Sequence, residues 1–364
     1  MPFGFLFILT LLFGTILSLS SAHWLPIWVG LEVNLMGFIP ILVYSGTSME
    51  AESAVKYFIM QALGSGMLMF GSLLAFSKTF SWEMQEIATP ELGMFIISMS
   101  LILKMGGFPF HFWVPSVMSG ISWFSCLILT TWQKLAPVFL LSTMLQSWPA
   151  TSSNATSIFL VLAGASSLVG GVGGINQTQV RALLAYSSIG HVGWMVFCTT
   201  TSESALKIYF PIYFLVSLCL FSSMWSAEMT SFNQTSPLSL TNPKTHRLIL
   251  IFMLLSLGGM PPLLGFVGKW SVINLSATMN TPLLMAPLII GSLLSLFYYL
   301  SLLFSINFSA GSLAVPTTLS KNMISGTKFS TPSTPHNLMT SVILIFNLGG
   351  SILLSSSLSV LDFL

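Results

Sequence analysis

Hydrophobic stretches of about 20 residues, separated by short polar connections, recur from one end of this chain to the other. Each is long enough to cross roughly 30 Å of hydrocarbon as a helix. The apolar runs are continuous rather than alternating, which argues against a transmembrane β-barrel. The pattern predicts eleven spans, over roughly 3–21, 25–45, 56–76, 92–113, 118–147, 155–173, 178–198, 206–228, 247–276, 283–306 and 338–360. The longest interruption, from Ser309 to Asn337, is rich in Ser, Thr, Pro and Gly and reads as a surface loop. An all-α polytopic membrane protein with a single membrane domain is therefore expected.

Two spans carry helix breakers in their interiors. In the fourth, Lys104-Met-Gly-Gly-Phe-Pro109-Phe-His111 sets two glycines and a proline beside a lysine. In the ninth, Leu257-Gly-Gly-Met-Pro261-Pro262-Leu-Leu-Gly265 does the same and is followed by Lys269. Proline removes a backbone donor, and glycine lowers the cost of unwinding. Irregular backbone at membrane depth survives only inside protein or beside a wet cavity. A pair of interrupted helices is the sequence mark of a transport site built from an inverted repeat. The glycine pairs begin 152 positions apart, at Gly106 and Gly258, which suits two five-span repeats over about 1–147 and 155–306, followed by one last helix. The lysines are placed differently in the two halves, so the repeat is expected in the fold rather than as a copied motif.

Composition sharpens this picture. A mean hydropathy of +0.89, with 54% hydrophobic and 5% charged residues, excludes an ordinary soluble domain. The first 55 residues contain no Lys or Arg, so neither a secretory leader nor a transit peptide is indicated and the first span is expected to stay. Basic residues near the connections divide six (Lys56, Arg181, Lys244, Arg247, Lys321, Lys328) to two (Lys78, Lys207). That imbalance places the N-terminus on the inner side and the C-terminus outside. The cysteines Cys126, Cys198 and Cys219 stand singly in apolar segments and offer no metal or iron–sulfur site. No nucleic-acid partner is expected.

Against 11 basic and 9 acidic residues in 364, four charges deep in apolar segments stand out: Glu32, Lys104, Lys134 and Lys269. At the bilayer centre each costs about 2.5–3.5 kcal/mol on insertion scales. Desolvation disfavours the charged form of any such group and an opposite charge restores it, so a buried lysine beside a mobile carboxylate can alternate between states. That makes the four residues candidate proton stations. Any one alone reads equally as a structural ion pair or a snorkelling side chain; the group is more specific than its members. His191, near mid-span, and His111, beside the first break, are candidate relays. Arg181 and Glu228 lie near span ends, and Glu50, Glu52 and Lys56 are expected in a loop. The run Gly170-Gly-Val-Gly-Gly174 lacks the spacing of a nucleotide loop and follows an apolar helix.

The strings Gly30-Leu-Glu32-Val-Asn-Leu, Lys56-Tyr-Phe-Ile-Met-Gln61, Lys104-Met-Gly-Gly-Phe-Pro-Phe-His-Phe-Trp113, Thr131-Trp-Gln-Lys-Leu-Ala-Pro137, Arg181-Ala-Leu-Leu-Ala-Tyr-Ser-Ser-Ile-Gly-His191 and Ser256-Leu-Gly-Gly-Met-Pro-Pro-Leu-Leu-Gly-Phe-Val-Gly-Lys-Trp270 together resemble the antiporter-like membrane subunits of respiratory complex I. The resemblance runs to about residue 305 and fades beyond it. It implies two inverted five-helix repeats in the mitochondrial inner membrane, with the N-terminus in the matrix and the C-terminus in the intermembrane space. It implies that Glu32 and Lys104 form a switching ion pair, Lys134 a central relay and Lys269 a distal station toward a neighbouring subunit. It also implies that flavin, iron–sulfur clusters and ubiquinone belong to partner subunits, and that this chain binds no cofactor and has no redox site of its own. Its partners would be the other membrane-arm and accessory subunits and the lipid bilayer. A cation/proton antiporter subunit and a purely structural membrane subunit remain as alternative functions. Lys104→Met, which removes the charge and keeps roughly the stem volume, is expected to permit assembly and to depress proton pumping several-fold; unchanged pumping in assembled enzyme would remove Lys104 from the path.

Overall fold

The computed structural model describes residues 4–80, 82–83, 91–147, 153–227, 243–277, 282–308, 347 and 349–350. The chain there is helical throughout: α1 (Gly4–Ser20), α2 (Trp24–Leu42), α3 (Ser48–Thr79), α4 (Glu91–Met105), α5 (Trp113–Met118), α6 (Trp123–Thr130), α7 (Trp132–Ser147), α8 (Ser153–Gly174), α9 (Val180–Thr201), α10 (Glu203–Ala227), α11 (Pro243–Gly258), α12 (Leu264–Ala277) and α13 (Ala286–Phe308), the last entered through a short 3₁₀ turn at Pro282–Met285. Apart from an isolated bridge between His23 and Glu83, the described residues form no strand pairing. Among the described residues, seven helical stretches are long and apolar enough to cross a membrane, and Gly4–Ser20, Leu92–Met105 and Leu248–Gly258 are shorter apolar helices. The expected eleventh span and the loop before it lie outside the described residues, save Asn347, Gly349 and Gly350.

Three boundaries differ from the hydropathy reading. Helix α3 begins at Ser48 rather than 56, because Thr47 caps it, its Oγ1 accepting from the Glu50 amide at 3.3 Å. The charges read as a loop therefore ride on its first turns, where Lys56 and Glu52 pair at 2.6 Å across one exposed turn. The broken fourth span continues past residue 113 through α5, and Gly120 and Ser119 close it with turn hydrogen bonds. The fifth span begins at Trp123, behind a Ser122 cap, and is interrupted at Thr131 between α6 and α7. Nothing in the Gly/Pro pattern marks that third interruption.

Side chains divide into two apolar cores stacked along the helix axes. One joins Phe38, Leu42, Tyr57, Val117, Ile121, Cys126 and Leu184 to the later halves of α10 and α13. The other joins Trp24, Ile27, Leu31 and Leu68 to α4, α7 and the later half of α9. The break between them falls after Leu31 in α2, between Ile189 and Val192 in α9, and between Leu264 and Val272 across α12. Glu32, His191 and Lys269 thus occupy a polar seam halfway along the bundle, and Lys104 and Lys134 lie where α4 and the α6–α7 junction cross it. Outward faces such as Phe5, Leu9, Phe13 and Ile16 on α1, or Leu293, Phe297 and Phe304 on α13, are exposed and apolar, as lipid contact requires.

Glycines set how closely these helices approach. A Cβ on Gly170 would lie 2.5 Å from the amide nitrogen of Gly190, and one on Gly193 would lie 2.6 Å from the carbonyl oxygen of Ala163. The glycine run of α8 is thus a packing surface, Gly170 and Gly173 for α9 and Gly171 and Gly174 for α13. Gly170→Val is expected to cost about 1–3 kcal/mol through overpacking, read as a lower thermal midpoint of the assembled complex. Gly66→Ala, at a position with open space around it, is expected to leave that midpoint in place.

Candidate functional site

The two glycine-proline breaks share one backbone design. Helix α4 ends with Gly106 at φ +75°, its amide donating to Leu103 O at 3.1 Å and that of Gly107 to Ile102 O at 3.0 Å. Helix α11 ends with Gly259 at φ +82°, its amide donating to Ser256 O at 3.0 Å and that of Met260 to Leu255 O at 3.2 Å. Both are Schellman closures, for which a left-handed glycine is the least costly residue. Each is followed by a cis X-Pro bond, Phe108–Pro109 and Pro261–Pro262.

The last carbonyls of the two helices are served differently. At the first break, Trp113 Nε1 donates to Leu103 O at 3.2 Å and Gln61 Nε2 to Lys104 O at 3.4 Å. Lys104 itself is buried in the last turn, with its stem lying against Gly64 of α3. Its ammonium makes no hydrogen bond or ion pair among the described residues. At the second break the lysine comes from the following helix. Lys269 folds back from α12 and its Nζ donates to Gly258 O at 2.8 Å and Leu257 O at 3.3 Å. An ammonium at a helix C-terminus is held by the orphan carbonyls and the negative end of the helix dipole. Asn347 Oδ1 accepts from the Leu264 amide at 3.3 Å, so the chain after the polar loop secures the start of α12.

Lys134 sits just beyond the unforeseen interruption at Thr131. Its Nζ donates to Ser188 O of α9 at 3.0 Å and to Tyr213 Oη of α10 at 3.5 Å. The Tyr213 hydroxyl in turn donates to Thr130 O at 3.1 Å. One turn earlier on α10, Tyr209 Oη lies 2.7 Å from His191 Nδ1, and the His191 and Tyr213 rings are 4.9 Å apart. His191 and Lys269 line one small cavity with Ser167, Ser187, Ser292 and Ser295, about 10 Å³ in volume. That is room for about one water molecule. Lys134, His191 and Lys269 are therefore joined by tyrosines and a polar cavity, although they lie on three different helices.

Glu32 is partly buried on α2. The two expected partners, Glu32 and Lys104, do not close to an ion pair: no nitrogen–oxygen approach falls within 4.0 Å. Two residues along, Asn34 and Gln133 exchange amide hydrogen bonds of 3.1 and 3.0 Å, tying the helix of Glu32 to that of Lys134. His111 is buried against Phe108 and Phe112, with its Nδ1 unpartnered among the described residues. Arg181 donates to Ile121 O at 2.7 Å and lies over Trp123, an anchor between α9 and the turn before α6. Glu228 lies outside the described residues. The sequence reading missed Tyr209, Tyr213, Asn34 and Gln133. The signal was present: two of only 7 tyrosines stand four apart in one apolar helix, and two amides flank the buried charges.

Broken helices crossing mid-bundle beside buried amines define an antiporter-like membrane subunit. Comparison with known proteins is consistent with that class. Residues 21–295 match the family described as NADH:quinone oxidoreductase/Mrp antiporter, transmembrane. The NADH-ubiquinone oxidoreductase chain 2 of Lumbricus terrestris is 40% identical over 297 residues, 81% of this chain and 84% of its own length. That of Anopheles gambiae is 36% identical over 357 residues, 96% of each chain. Among solved structures, respiratory complex I from Thermus thermophilus with bound aureothin contains a chain matching with a TM-score of 0.77 at 23% identity, covering 96% of this chain and 76% of that one. The Mrp complex from Dietzia sp. DQ12-45-1b gives 0.77 at 16% identity over 96% and 75%. These two likenesses show the fold. This chain belongs to the NADH-ubiquinone oxidoreductase chain 2 family.

Gly259→Ala tests the second break. A Cβ there would meet Lys269 Cδ at 2.9 Å and Nζ at 3.0 Å, on a backbone held at φ +82°. The left-handed conformation costs about 1–2 kcal/mol in a residue with a Cβ, so the variant is expected to lower the thermal midpoint of the complex and to displace Lys269 from its carbonyls, visible in a structure of the assembled variant.

Proposed function

We propose that this chain is a proton-translocating membrane-arm subunit of respiratory complex I, a multi-pass protein of the mitochondrial inner membrane. It works within the NADH:ubiquinone oxidoreductase assembly, where partner subunits carry flavin, iron–sulfur clusters, ubiquinone and electron transfer. This chain binds no cofactor and has no redox site of its own. Its N-terminus faces the matrix and its C-terminus the intermembrane space, as the six-to-two division of basic residues favours.

The observation that carries the reading is the polar seam. Lys104, Lys134 and Lys269 are 6%, 3% and 8% exposed, yet none is paired with a carboxylate among the described residues. Charges kept only to hold helices together would be expected in ion pairs; Lys134 and Lys269 are held by carbonyl and phenol oxygens and Lys104 by no fixed oxygen, which leaves them able to give up a proton. The order along the seam is Glu32, Lys104, Lys134, His191 and Lys269, with Lys269 toward a neighbouring subunit. Two five-helix repeats supply it, the first contributing Glu32, Lys104 and Lys134 and the second His191 and Lys269. His111, beside the first break, serves proton access. The open Glu32–Lys104 pair is one position of a switch: closing it would hold a proton on Lys104, and opening it would release that proton toward Lys134. Movement against the membrane potential requires roughly 2.3 kcal/mol per charge per 100 mV, supplied by the redox reaction in partner subunits.

Glu32→Gln in assembled enzyme tests the reading. Loss of both proton pumping and NADH:quinone turnover, with assembly intact, is expected for a coupled path. Retention of both would make the buried charges structural and end the proposal.

A further inference from the structure

The hydrogen-bond partners of His191 fix more than its position. Its Nδ1 lies 2.7 Å from Tyr209 Oη, and that is the only hydrogen bond Tyr209 makes among the described residues. Tyr209 is 3% exposed. If the imidazole donated to it, the phenol hydrogen would be left buried without an acceptor, a loss of about 1–3 kcal/mol. With Tyr209 as the donor, the buried phenol hydrogen has a partner. Nδ1 is then the acceptor, and the ring proton sits on Nε2, the nitrogen left for the cavity that His191 lines.

The cavity independently asks for a donor. Its four serines already donate to backbone carbonyls of their own helices: Ser187 to Leu184 O at 2.7 Å, Ser167 to Gly164 O at 2.8 Å, Ser292 to Ile289 O at 2.8 Å and Ser295 to Ser292 O at 2.7 Å. Their hydroxyl oxygens are left to accept. The Lys269 ammonium, on the same cavity, is engaged with Gly258 O and Leu257 O. The cavity, which Trp194 also lines, thus offers serine oxygens that an Nε2–H can meet directly or through a water.

We propose that Tyr209 is a positioning residue that locks His191 as the Nε2–H tautomer, so that the histidine receives a proton at Nδ1 from the Lys134 side and gives one up at Nε2 to the cavity shared with Lys269. The inference rests on the proton-path reading above. In balance, a proton arriving at Nδ1 requires the Tyr209 hydroxyl to turn away; the imidazolium then breaks its Nε2–H bond, and that proton passes to a water or to neutral Lys269. Tyr209 keeps its own proton throughout and accepts from the new Nδ1–H. The ring is left as Nδ1–H; the station resets only when water carries that proton from Nδ1 round to Nε2, an exchange with no net transfer, after which Tyr209 donates again. The tyrosine fixes which ring nitrogen accepts and which carries the proton at rest, a distinction that a freely exchanging imidazole lacks.

The test uses the whole complex with isotope-labelled histidine and tautomer-sensitive infrared ring bands. Subtracting the spectrum of His191→Gln isolates the band of His191. The expected band is that of the Nε2–H tautomer; an Nδ1–H band in the wild-type complex would overturn the proposal, and needs no variant of Tyr209 to assemble. Tyr209→Phe is expected to give mixed tautomers and about a tenfold fall in coupled turnover, the worth of one hydrogen bond, at unchanged quinone KM. An unaltered band in that variant would refute the lock. Pumping that survives His191→Gln would instead sink the path through His191, whatever the band shows.

Discussion

A charged amine in the middle of an apolar bundle is stabilised by an oxygen beside it, and for Lys134 and Lys269 the arrangement of this protein follows from where those oxygens come from. Regular helices offer few, since each carbonyl is engaged by an amide four residues on. The chain frees them by interrupting helices at mid-depth. The end of α11 gives Gly258 O and Leu257 O to Lys269, and the interruption at Thr131 exposes Thr130 O, which orients Tyr213 for Lys134. Two apolar cores, one at each end of the bundle, then enclose a layer in which polar groups find one another.

The halves are alike in backbone and unlike in chemistry. Both breaks close with the same glycine turn, but the first is served by neutral donors, Trp113 and Gln61, whereas the second is served by an ammonium. Lys104 is thereby left without a fixed oxygen, while Lys269 is tied to a helix end. The two buried lysines are set apart by which residue reaches the freed carbonyls. Between them, the Asn34–Gln133 amide pair carries no charge and fixes α2 against α7 at the level of the polar seam.

Small residues allow this polar layer to stay narrow. Gly170 and Gly190 bring α8 and α9 together, and Gly64 admits the stem of Lys104 against α3. Water-sized space is accordingly small around His191 and Lys269, so the direction of each hydrogen bond matters more than the distance between stations. In such a site the side chains that orient the titrating groups shape the route as much as the titrating groups do.

Composition and hydropathy alone determined the class of fold, because a chain this apolar has only helices with which to satisfy its backbone in lipid. Glycine and proline pairs determined two of the breaks, since both residues act locally on the helix. The scarcity of charge singled out Glu32, Lys104, Lys134 and Lys269. Tertiary structure alone decided the rest. Thr131 is a poor marker of a break, and α6 and α7 part there with the freed Thr130 carbonyl taken by a tyrosine 83 residues away. The partners of Lys134 and His191 come from α9 and α10, and no spacing rule joins helices so distant in sequence. Whether Lys104 meets Glu32 is likewise a matter of packing: the two charges were legible as a pair, but the gap between them was not.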